Sequence, residues 1–99
     1  MQCITVTFSG HALQRRFARG IDTENLKSAL GNYEIVAEYP DDKPYPSHLI
    51  LAWVNIKQTK LPLHVVVAQN HEDYACYIIT AYVPTLELWR NDFKTRRPL

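Results

Sequence analysis

An α+β fold is predicted: an antiparallel sheet with two N-terminal helices and a C-terminal helix, in the order βααββββα. Three observations predict it. Leu13, Phe17 and Ile21 recur every fourth residue, the spacing of one helical stripe. The runs 48–56, 61–69 and 74–83 are apolar on both faces, as strands are in the middle of a sheet covered on both sides by helices. Between these two regimes, Pro40, Pro44 and Pro46 punctuate a polar stretch that no helix or central strand can contain.

Each element follows in order. Residues 2–8 alternate and are rich in β-branched and aromatic side chains (Ile4, Thr5, Val6, Thr7, Phe8), which reads as a strand. Ser9 then caps a helix that runs to about Gly20, its stop. Asp22 caps a second, short helix with Leu26, Ala29 and Leu30 facing inward and Gly31 ending it. Residues 33–39 alternate as a strand. The runs 48–56 and 61–69, joined near Lys57, Gln58, Thr59 and Lys60, form an antiparallel hairpin, and 74–83 is the last strand. Pro84 suits the first turn of a helix, and Leu86, Trp89 and Phe93 follow at i, i+3, i+7.

Composition bounds what such a chain does. Its 99 residues, 46% hydrophobic and 21% charged, fit a single domain spanning 1–99. No apolar run reaches the roughly 18 residues of a membrane helix, and the N-terminus lacks the basic and apolar regions of a signal peptide. A cytoplasmic protein without membrane contact is the expectation. Cys3 and Cys76, both in strands, read as small buried hydrophobes rather than a disulfide scaffold. The formal net charge of +1 excludes a strongly basic coat for nucleic acid. It conceals a division, however: residues 1–20 carry three arginines and no acid, and 90–99 carry four bases and one acid. The middle holds four lysines against nine acids, so both ends are basic.

The residue pattern richest in chemistry is 11–20. His11, Arg15 and Arg19 form one ridge of the first helix, opposite Leu13 and Phe17, and join a titratable imidazole to two guanidiniums suited to phosphate. A solvated face paired with nearby acids accounts for the same spacing. His64, mid-strand between apolar neighbours, reads as a satisfied core or edge histidine, or as a second imidazole facing the first helix; His48 and His71 read as surface residues. Thr80 and Tyr82 share one face of the last strand and line a cleft or serve packing. Lys94, Arg96 and Arg97 suit phosphates, or simply complement a helix C-terminus. Metal-ligand spacings and glycine-rich phosphate loops are missing, so no cofactor is expected.

Taken together, Ser9, Gly10, His11, Arg15, Arg19 and Gly20, then the segment 39–46, then 62–68, then Thr80, Tyr82, Pro84 and Trp89 form an ordered set covering nearly the whole chain. This set resembles a family of small bacterial proteins known as a domain of unknown function, often encoded beside an antitoxin-type partner. That family is in turn similar in architecture to RelE-type ribonuclease toxins, a RelE/barnase-like fold. Its usual cysteine after the 45–47 segment is replaced here by His48, and the 57–60 turn is longer than the family's tight one. The resemblance implies a metal-independent endoribonuclease of toxin–antitoxin type, with RNA as substrate and an antitoxin-type protein as partner. His11 and His64 are then the acid/base candidates, and Arg15 and Arg19 stabilise the phosphate. Tyr39, Thr80, Tyr82, Lys94, Arg96 and Arg97 hold substrate. The competing expectation is a non-enzymatic protein- or ligand-binding module, or an inactive nuclease-fold relative, acting through a partner.

Overall fold

The computed structural model describes residues 1–10 and 20–98. Its elements are β1 (Thr5–Phe8), α1 (Thr23–Gly31), β2 (Glu34–Tyr39), β3 (Ser47–Ile56), β4 (Thr59–Asn70) and β5 (Ala75–Tyr82). The strands lie in the order β1-β5-β4-β3-β2. The sheet is mixed, because β1 runs parallel to β5 while the other pairs are antiparallel.

The βααββββα expectation of an antiparallel sheet with three helices, and the RelE/barnase-like label attached to it, is therefore corrected. Among the described residues one α-helix is present, α1. The first expected helix falls on 11–19, outside the described residues. The third does not form: residues 84–98 fold as turns closed by a bridge between Trp89 and Arg96. Local bonds outcompete a helical ladder there. Asp92 accepts from the Lys94 and Thr95 amides and from the Thr95 hydroxyl, and the Arg97 Nε donates to the Leu86 and Trp89 carbonyls. Phe93 takes a left-handed backbone, φ 56°, which an α-helix does not accommodate.

The rest follows from local chemistry. Asp22 caps α1 through a reciprocal pair with Asn25, whose amide also donates to the Asn55 carbonyl and fixes the helix on β3. β3 and β4 form the expected hairpin, and the left-handed Lys57 and Gln58 (φ 51° and 67°) turn it as a two-residue type I′ turn does. Gly20 also has a positive φ, 72°, and a Cβ there would meet the Lys57 side chain at 2.7 Å. The mixed direction of the sheet comes from β1. It extends along the free edge of β5, where the Ile4 and Ser9 amides donate to the Tyr74 and Ile78 carbonyls.

One face of the sheet is the core. Ile50, Ala52, Val54 and Ile56 of β3, Leu63, Val65 and Val67 of β4, and Cys76, Ile78 and Ala81 of β5 pack on Ile21, Leu26, Ala29 and Leu30. Cys3 and Cys76 are joined by a disulfide rather than buried as free thiols, which ties the N-terminal segment to β5. Helices on both faces were expected, but irregular chain covers the second face. The 40–46 loop crosses one end, where Tyr45 stacks on Tyr77 at 5.5 Å. Residues 84–98 cross the other.

Candidate functional site

The strand register explains how residues 84–98 are held. Tyr82, His64, Leu51 and Glu34 form one row across β5, β4, β3 and β2. Period-2 alternation puts this row on the face away from α1. The C-terminal strap runs along it. Trp89 packs edge-on to His64 at 4.6 Å, Phe93 meets Trp53 edge-on at 5.9 Å, and Lys94 Nζ lies 2.8 Å from the Glu34 carboxylate.

His64 is the centre of this arrangement. It is fully buried. Its Nε2 lies 2.6 Å from the Phe93 carbonyl, so that nitrogen carries the proton and donates. Its Nδ1, left as an acceptor, lies 3.1 Å from the Tyr82 hydroxyl, which donates. Burial holds the imidazole below its ordinary value, and the Phe93 carbonyl, which favours the charged form, offsets this only in part. A neutral histidine with both nitrogens bonded is thus the anchor of the strap.

The strap carries the basic end of the chain. Glu34 raises the affinity of Lys94 for its proton, while Arg97 is turned inward onto the Leu86 and Trp89 carbonyls. Arg96 lies 5.5 Å over the Trp89 ring, a cation–π contact that still leaves it exposed. Arg90 is exposed as well, and with Asn91, Asp92 and Arg97 it lines a shallow depression. Asp92 is held below the usual carboxylate range by the Lys94 and Thr95 amides, so it stays charged and keeps the turn closed.

Of the residues expected in a site, His64, Tyr82, Lys94, Arg96 and Arg97 come together around the strap. Thr80, paired with Val66, sits one step along the same face of β5 and is half-buried. Tyr39 ends β2 beside Ser47, five residues from Glu34 and hence roughly 17 Å away at 3.3 Å per residue. His11, Arg15 and Arg19 lie outside the described residues. His48 faces Glu38 across β2 and β3, at 3.7 Å, and is half-buried rather than a surface residue. Among the described residues no three His, Cys, Asp or Glu side chains gather as metal ligands.

Two residues around this row were missed by sequence reasoning. Trp53, expected to be covered like the rest of its strand, is 49% exposed. Lys60 stands diagonally across the hairpin from it, since Trp53 pairs with Pro62 and Asn55 with Lys60. Once the hairpin was read, that diagonal was countable. The exposure of Trp53 was not, because it depends on where β2 stops.

No helix among the described residues is long and apolar enough to cross a membrane. No curated protein and no solved structure matches the chain. A family model does match, over residues 8–83, which include α1 and β2 to β5 but only the last residue of β1, and which leave the strap outside. The chain belongs to that family, DUF4258, a domain of unknown function.

Proposed function

We propose that this chain is a metal-independent endoribonuclease of toxin type, restrained in the cell by an antitoxin-type protein. The observation that supports it is the strap: its backbone is fixed by His64 and Asp92, and it displays Arg90 and Arg96 to solvent beside Lys94 and Arg97. A rigid cationic ridge receives the phosphates flanking a scissile bond without first ordering long side chains on a loose tail. His11 is the acid/base. It takes the proton of the substrate's 2′-hydroxyl, the 2′-oxygen attacks phosphorus, and the bond to the 5′-oxygen breaks as that oxygen receives a proton from the imidazolium. The products are a 2′,3′-cyclic phosphate and a free 5′-hydroxyl. Arg15 and Arg19 stabilise the phosphorane, and Thr80 orients the scissile group. His64 positions the strap and takes no proton from substrate. The RNA substrate favours the cytoplasm for this work, whereas the Cys3–Cys76 disulfide favours an oxidising compartment.

The test is induction in bacteria of the wild-type chain and of His11→Ala and Arg15→Ala. Growth arrest with RNA loss is expected for the wild type alone, and equal growth with intact RNA in all three overturns the proposal. The second reading, a non-enzymatic binding module, is favoured by one observation: His64, Tyr82, Lys94 and Arg97 spend their polar groups on the fold itself. Purified protein separates the two, since cleavage of RNA in EDTA supports the nuclease, and capture of a neighbour-encoded protein without cleavage supports the module.

A further inference from the structure

We propose that the cleft beside Trp53 is a binding subsite for one unpaired nucleobase and its phosphate. This rests on the RNA reading above and names the part of the RNA that the sheet face takes. The cleft exists because β2 stops pairing at Glu34 opposite Leu51, so that residues 52–56 of β3 have no strand neighbour on that side among the described residues. The space left is about 270 Å³, lined by Asn32, Tyr33, Glu34, Leu51, Trp53 and Lys60 among others.

Its chemistry is that of a nucleotide. Half of the Trp53 indole is open to solvent, and the edge of Phe93 braces it from the strap. An indole held in one orientation by a neighbouring ring is a stacking platform, and stacking accepts any base because every base has a π-face. Lys60, on the same sheet face one diagonal step from Trp53, is exposed, and among the described residues it makes no ion pair. It supplies the cation for the phosphate. Glu34 would repel that phosphate if bare, but Lys94 at 2.8 Å neutralises it, and its carboxylate can still accept from an exocyclic amine of the base. Asn32 adds an amide at the rim.

A second cleft of similar size, between Tyr45, Tyr77, Pro44, Ala68 and Ile79, lacks this combination. Its two rings are stacked on each other, and among the described residues no cation lines it. A base in a duplex is already stacked on both sides, so the Trp53 cleft selects single-stranded RNA.

The probe is a labelled 2′-O-methyl hexaribonucleotide, which has no free 2′-hydroxyl and is not cleaved. Its binding to the full chain is followed by anisotropy, and by quenching of tryptophan fluorescence in the Trp89→Phe variant, where Trp53 is the one indole left. The expected result is quenching by the single strand and not by the same sequence as a duplex, with binding about tenfold weaker in Trp53→Leu. Lys60→Ala, at an exposed position that leaves the core untouched, should weaken binding about threefold. It should also flatten the log–log salt slope by about 0.7. Equal affinity of the wild type, Trp53→Leu and Lys60→Ala for the hexamer overturns the subsite, as does equal quenching by single strand and duplex. If RNA is still cleaved in that case, only the subsite falls. If the wild type neither binds the hexamer nor cleaves RNA, the nuclease reading falls with it.

Discussion

His64 shows how a residue type that suggests catalysis can be spent on architecture. Its two nitrogens hold the Phe93 carbonyl and the Tyr82 hydroxyl, and no water reaches it. His64→Leu keeps most of the volume but orphans both groups, so unfolding free energy should fall by about 2–4 kcal/mol, measured by urea denaturation. The pH dependence has a definite sign. Burial lowers the proton affinity of His64 in the fold, whereas in the unfolded chain it titrates near 6.5. Below that pH the unfolded state binds more protons, so this residue's stabilisation is complete above about 6.5 and is lost progressively as pH falls. Urea midpoints of wild type and His64→Leu should therefore converge between pH 7 and pH 5, and a constant gap would show that the imidazole is not the neutral anchor. The sequence signals this residue, since an isolated histidine on an apolar face reads either as a satisfied core or edge histidine or as a second imidazole facing the first helix. What it bonds to was not legible, because Phe93 is 29 residues away in a segment whose spacing suggests a helix.

Elements were legible where their local chemistry is self-sufficient. α1 carries its own cap in Asp22 and Asn25 and its own apolar stripe, and the hairpin of β3 and β4 follows from two apolar runs around a short turn. The strap and β1 are the opposite case. Leu86, Trp89 and Phe93 have helical spacing, but Phe93 is drawn to His64 and Arg97 takes the carbonyls that a helix would use. β1 has only four residues, and its place depends on the free edge of β5 and on the bond between Cys3 and Cys76. That bond closes a loop with a sequence separation of 73, and loop-closure entropy makes it worth up to about 4.4 kcal/mol. Reduction should lower the unfolding free energy by up to that amount, read from urea denaturation, and speed amide exchange first in β1. Equal stability with and without reductant would mean that sheet pairing alone holds this edge.

At the scale of the whole molecule, near-neutral charge and a basic strap have a joint consequence. A net charge of +1 gives little long-range attraction for RNA, so affinity has to come from a few local contacts. The salt dependence of RNA binding should accordingly be shallow, and Arg90→Ala with Arg96→Ala together should reduce its slope by about 1.4, at roughly 0.7 per single-strand phosphate contact. An unchanged slope would show that the strap does not meet the backbone. By itself the sequence determined the strands, the short capped helix, the proline loop and the basic C-terminus, because alternation, capping and charge are properties of neighbouring residues. Only the tertiary structure decided the parallel placement of β1, the disulfide, the loss of the C-terminal helix and the half-open Trp53. Each of these turns on which distant group reaches a backbone carbonyl, a thiol or a sheet edge first, and residues far apart in the chain settle that only when they are brought together.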